Sequence, residues 1–235
     1  MKLLFSVAWI LWAPWVFAQS GSMDSDHYLD EIKAELKKEW PKNQTINLVF
    51  HGHSVPAGYF KTPVVNTLEA YPFQLLKLLK EHYPYAVINC ITTALGGENA
   101  RSGAKRFAED VVPLRPKVVF IDYALNDRGI GLTEAKKAWE SMIEEALSHH
   151  SKVVLLTPSP DQRVDIRTPG NELEQHALQI RALAKKYQVG LVDTYLLFQE
   201  AVKEGNGIVD YMSQVNHPNA RGHALIANSI LRYFE

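Results

Sequence analysis

The sequence predicts an α/β protein: a mostly parallel five-stranded sheet with helices on both faces, forming a three-layer α/β/α sandwich. Two patterns carry this prediction. Five short apolar runs rich in β-branched residues occupy positions 46–50, 86–91, 117–123, 153–157 and 189–192, and each is followed by a segment with apolar residues at helical spacing. Parallel strands need crossovers, and crossover helices cover the sheet they connect.

Ahead of the first strand, Leu29, Ile32, Leu36 and Trp40 recur at three- and four-residue steps among Glu and Lys. That spacing predicts one amphipathic helix over 24–40, stopped by Pro41. The clearest later helix spans 132–147. Thr133 is its expected cap and Glu134 suits its first turn, with Leu132, Ala135, Trp139, Met142, Ile143 and Ala146 on one face. Leu173, Ala177, Ile180, Ala184 and Tyr187 repeat the pattern over 171–187, and the last helix follows Pro218, burying Ala224, Ala227, Ile230, Leu231 and Phe234. Two loops, 59–69 and 158–170, are long for this architecture and stand where they can shape access to a site.

The start of the chain has a different character. Lys2 precedes an uncharged run from Leu3 to Val16, and Val16 and Ala18 put small residues at the -3 and -1 positions of a cleavage site. Residues 1–18 are therefore expected to be a signal peptide cut after Ala18, directing the chain to the periplasm or outside the cell. A run of this length, broken by Pro14, is too short to span a bilayer, so no stable membrane insertion is expected after cleavage. Residues 19–46 then supply a helix and linker, and 47–235 the main domain. The 235 residues carry 25 basic and 26 acidic side chains, which supplies no field for polyphosphate and argues against nucleic acid as a partner. The single cysteine, Cys90, excludes an intrachain disulfide and reads as a small buried residue of a strand.

In open α/β sheets chemistry gathers beyond the carboxyl ends of the strands. There the first strand ends in Phe50-His51-Gly52-His53-Ser54, the second runs into Gly96-Gly97-Glu98-Asn99, and the third into Asn126-Asp127. His217 stands before the final helix, where Pro218 biases it toward an extended backbone. Together these supply a hydroxyl nucleophile (Ser54), an imidazole base (His217) and three oxyanion donors: the Ser54 and Gly97 N–H groups and the Asn126 amide. Gly96 is the alternative to Gly97.

Four such blocks in this order resemble the SGNH (GDSL-type) hydrolases, over roughly 47–235. The resemblance implies a flavodoxin-like sheet, a serine acyl-enzyme mechanism and no cofactor. It also implies a small-molecule or polysaccharide ester as substrate without choosing among them; the expected export, the near-neutral charge and the polar loop from Asp161 to Arg167 favour short acyl groups, acetyl foremost, on a polysaccharide. Lysophospholipase or thioesterase activity is the alternative within the family. The chain departs from the family pattern in having His53 for the usual Asp, Ala124 for the usual Gly, and Gln214 where the acid three residues before the histidine is usual. The group orienting His217 is thus open between Asp210, Gln214 and a backbone carbonyl. Two readings from other classes compete: a metal-dependent hydrolase built on His51 and His53, with His217, His223 or Asp122 completing the site, and a carbohydrate-binding module. Such a module needs exposed aromatic platforms, whereas Trp40 and Trp139 both lie on helix stripes expected to be buried.

Overall fold

The computed structural model describes residues 25–203, 205 and 207–235; the expected leader and its cleavage point lie outside the described residues. Two short helices, α1 (Ser25–Tyr28) and α2 (Asp30–Leu36), lead to β1 (Thr45–Gly52), a one-turn helix α3 (Ser54–Ala57) and α4 (Tyr71–His82). The alternation continues through β2 (Val87–Thr92), α5 (Ala100–Asp110), β3 (Val118–Asp122), α6 (Gly131–Ser148), β4 (Lys152–Leu156), α7 (Glu172–Tyr187), β5 (Gly190–Val192) and α8 (Thr194–Lys203). A small hairpin, β6 (Met212–Gln214) and β7 (His217–Pro218), precedes α9 (Ala220–Leu231).

The five main strands are all parallel in the order β2-β1-β3-β4-β5, the flavodoxin-like order. The chain steps one way from β1 to β2 and then reverses across β1 to β3. Right-handed crossovers put helices on opposite faces when the direction reverses. Accordingly α5, α6 and α7 pack in series on one face, while α4 packs with α9 on the other. The reversal leaves a crevice between the carboxyl ends of β1 and β3, where the loops diverge to opposite faces. The central strands β3 and β4 are buried almost throughout, which is why they read as continuous apolar runs. Tyr28, Leu29, Ile32 and Leu36 join the same core, so the amino-terminal helices are part of the domain's packing.

Three expectations are corrected. The first helix ends at Leu36 and leaves Trp40 85% exposed; the residue before a proline is biased out of the helical region, so the apolar stripe stops one turn early. Thr133 lies inside α6, which starts at Gly131 with Ile130 as cap and no capping side chain. The strand β1 stops at Gly52, so His53 is the cap of α3 and accepts the Val55 N–H on Nδ1. Asn171 does cap α7, accepting from the Glu174 N–H. Cys90 lies on β2, partly buried, and burial pushes its thiol pKa up to about 12. Among the described residues no helix is long and apolar enough to cross a membrane.

Candidate active site

Ser54 stands one residue past the end of β1 and occupies the first position of α3, where a backbone N–H has no intrahelical acceptor. His217 arrives on β7, 163 residues later in the chain. The two meet: the Ser54 hydroxyl donates to His217 Nε2 at 2.9 Å. His217 Nδ1 lies 2.9 Å from the Phe60 carbonyl oxygen. A carbonyl only accepts, so Nδ1 bears the proton and Nε2 keeps the lone pair that faces the hydroxyl. The ring is thus held in the tautomer that a general base requires. Burial lowers the His217 pKa, the hydrogen bond to Phe60 works against that, and neighbouring His53 lowers it further. Both Ser54 and His217 are 6% exposed.

The acceptor behind His217 is therefore neither Asp210 nor Gln214 but the Phe60 carbonyl. Asp210 is exposed, and its carboxylate accepts from the Gly207 N–H at 2.9 Å, capping the short turn Ile208–Tyr211. Gln214 acts one step away. It pairs with His217 in the β6–β7 hairpin, and its Oε1 accepts from the Thr62 N–H at 2.9 Å. The same turn is tied by Phe60 N–H to the Val64 carbonyl, and the Phe60 ring stacks on buried His223 at 5.2 Å. His217, Phe60, Thr62 and Gln214 form a closed circuit, in which a side-chain amide steadies the turn whose carbonyl orients the imidazole. His223 Nδ1 accepts the Tyr71 N–H, so this histidine packs and braces.

Gly97 has a φ of +77°, a left-handed conformation suited to glycine, and a Cβ there would meet nothing within 4 Å. The Leu95 N–H donates to the Gly52 carbonyl, fastening this loop beside the end of β1. Asn126 Nδ2 donates to the Glu98 carbonyl at 2.8 Å, joining the Gly97 loop to the end of β3 and leaving a second amide hydrogen. The Glu98 carboxylate is gripped by Arg106 through Nε (2.9 Å) and Nη2 (2.5 Å) and by the Tyr123 hydroxyl (2.9 Å). Asp127, buried, accepts from the Ala100 N–H and the Trp139 indole, which ties the Asn126 turn to α5 and α6. The three expected donors thus lie on segments cross-linked to one another.

Beneath Ser54, His53 Nε2 stands 3.4 Å from Asp122 Oδ1, and the Tyr71 hydroxyl donates to Asp122 Oδ2 at 3.1 Å. His51 is occupied on both nitrogens, Nδ1 by the Thr93 hydroxyl at 2.7 Å and Nε2 by the Gly103 carbonyl at 3.2 Å, and burial lowers its pKa to about 4. The two histidines of the metal reading therefore turn to different protein partners. Among the described residues no three His, Cys, Asp or Glu side chains are grouped to hold a metal ion. Phe60 and Thr62 went unnoticed in the sequence because they contribute backbone groups, which no residue type signals. Arg106 had a faint signal, an i,i+4 pair with Asp110 on an amphipathic helix.

A doubly wound parallel sheet that brings a serine hydroxyl against a tautomer-fixed imidazole defines a serine hydrolase, here one acting on ester bonds. Residues 50–225 match the GDSL-like Lipase/Acylhydrolase family, and the chain belongs to that family. An acetylxylan esterase of Geobacillus stearothermophilus is 23% identical over 174 residues, covering 69% of this chain and 79% of that protein. The crystal structure of Axe2, an acetylxylan esterase from the same organism, aligns with a TM-score of 0.70 at 22% identity, over 80% of this chain and 94% of that one. A two-domain esterase active on acetylated mannans aligns with a TM-score of 0.71 at 19% identity, over 88% of this chain and 52% of that one. The α/β sandwich and the family resemblance read from the four blocks are both borne out.

Proposed function

We propose that this protein is an exported carbohydrate O-acetylesterase that removes acetyl groups by a Ser54–His217 acyl-enzyme mechanism. The observation that carries the proposal is the 2.9 Å approach of the Ser54 hydroxyl to a His217 ring whose other nitrogen is held by the Phe60 carbonyl. His217 Nε2 takes the Ser54 proton as Oγ bonds to the ester carbonyl carbon. The oxyanion forms against the Ser54 and Gly97 N–H groups and the Asn126 amide. His217 then returns the proton to the departing sugar oxygen as the carbon–oxygen bond breaks. Water attacks the acyl-serine with the same base, releasing acetate and restoring the Ser54 hydroxyl. The short acyl group and glycan carrier are supported by the acetylxylan esterase relative and by the groove beside Asn126, where Arg128, Arg163 and Glu172 stand with Leu125 and Val164. Export rests on the leader pattern of residues 1–18.

The test is a chain-length series of aryl acetate, butyrate and octanoate, run beside Ser54→Ala, Asn126→Ala and a chelator-treated sample. We expect acetate to be fastest, Ser54→Ala to be inactive, and Asn126→Ala to lose roughly 10²–10³ in kcat. A maximum at octanoate would replace the acetylesterase reading with the lysophospholipase or thioesterase one. Activity that survives Ser54→Ala and dies with chelation would restore the metal reading.

A further inference from the structure

The loop after β4 carries a charge cluster that the hydrolytic steps leave unused. Asp161 is fully buried, and its carboxylate accepts from Arg128 Nη2 at 2.5 Å and from Arg163 Nη2 at 2.5 Å and Nε at 2.8 Å. The Arg163 N–H also donates to Asp161 Oδ1 at 3.0 Å. Burial works to raise the Asp161 pKa, and the hydrogen bonds from the two arginines outweigh it, leaving the group at about 2. Arg128 also donates through Nη1 to Glu172 and through Nε to the Leu125 carbonyl, so all three of its nitrogens are engaged. Arg163 differs: its side chain is 64% exposed, and its Nη1 donates to no group among the described residues. A surface arginine normally samples many rotamers. This one is held in a single orientation by a buried carboxylate.

Arg163 lines an open groove of about 360 Å³ with Leu125, Asn126, Arg128 and Glu172. The groove begins at the proposed oxyanion amide, and Arg128, two residues on, locks the Asp161–Arg163 unit to the same turn. Its charges cancel: two arginines face Asp161 and Glu172. Such a lining has no net attraction for a free carboxylate, and Leu125 and Val164 give it a small apolar floor of the size a sugar ring's C–H face covers. It presents fixed N–H directions to neutral oxygen atoms.

We propose that this groove is the subsite for the alcohol half of the ester, a sugar ring, and that Arg163 donates hydrogen bonds to its hydroxyl oxygens. The proposal rests on the carbohydrate esterase reading and adds to it the residue that recognises the carrier. An aryl ester has no such hydroxyls, so the contact belongs to glycan substrates alone.

The experiment compares wild type, Arg163→Ala and Arg163→Lys on an acetylated xylo-oligosaccharide, an acetylated manno-oligosaccharide and an aryl acetate. The readout is the ratio of kcat/KM on each oligosaccharide to that on the aryl ester, which cancels any loss of folded enzyme. In Arg163→Ala the ratio is expected to fall roughly ten- to a hundredfold through KM, the size expected for hydrogen bonds from a charged donor. Arg163→Lys, which keeps the charge without the planar fork, should fall between. If wild type deacetylates an oligosaccharide and the ratio in Arg163→Ala stays within about twofold, the subsite is overturned and the esterase reading stands. If wild type cleaves the aryl ester and no oligosaccharide, the carbohydrate reading itself fails and takes the subsite with it.

Discussion

The acceptor behind His217 is a main-chain carbonyl, and its neutrality has kinetic consequences. A carboxylate would raise the pKa of its histidine, whereas here burial prevails and the pKa lies below its ordinary 6.5. In the proposed mechanism the base works unprotonated, so activity should be lost as pH falls through that lowered value. The acid limb of kcat/KM should therefore lie below about pH 6.5, and a pH–rate profile on aryl acetate with its limb above that point would contradict the assignment. Gln214→Ala frees the Thr62 N–H and loosens the turn. Turnover should drop about tenfold, and the acid limb should move further toward low pH, because the Phe60 hydrogen bond is what favours the imidazolium. Gln214→Glu keeps an acceptor for Thr62 and should restore most of the rate. The sequence could single out Ser54, Gly97, Asn126 and His217 because each is a residue type with chemistry, set at a strand end or just before the last helix. It left Asp210, Gln214 and a carbonyl open because that choice depends on where residues 59–65 fold back, a long-range contact with no local signature.

At the level of elements, the helix that follows the Gly97 loop must come very close to β3. A Cβ on Gly103 would run into the Tyr123 ring, and Tyr123 is one of the two groups holding Glu98. Gly103→Ala should therefore cost about 1–3 kcal/mol of stability, as overpacking does, read as a lower denaturant midpoint at unchanged slope. It should also lower kcat by disturbing the Glu98 grip. An unchanged midpoint would show that α5 can slide away freely. The five strands were legible from apolar runs to within one or two residues, since buried parallel strands carry that signal themselves. The β6–β7 hairpin and the one-turn α3 escaped, being too short for any period to show. Trp40 was misjudged because it continued a helical stripe past the point where Pro41 had already ended the helix.

For the molecule as a whole, acid is the expected weakness. His51 and His223 are buried, and burial lowers their pKa values to about 4 and about 3. Below 6.5 the unfolded chain takes up protons that these folded rings refuse, so stability falls with pH until the folded values are reached. Asp127, raised to about 6 chiefly by burial, works the other way between 3.8 and 6, but it is one group against two. Melting temperature should decline from pH 7 to pH 4, and His51→Gln, which cannot take up a proton, should decline less; equal slopes would remove His51 from the account. The sheet order could be foreseen only through the family resemblance, because alternation alone does not say where the chain reverses. The two side chains proposed to react are 163 residues apart, one after the first strand and the other before the last helix. A chain emerging from the ribosome therefore carries its hydroxyl early and gains its base only near the end of synthesis. Esterase turnover is in effect a built-in clock for complete folding: during refolding its recovery should trail every spectroscopic signal of helix formation, and any fragment lacking the carboxyl-terminal tenth should remain silent.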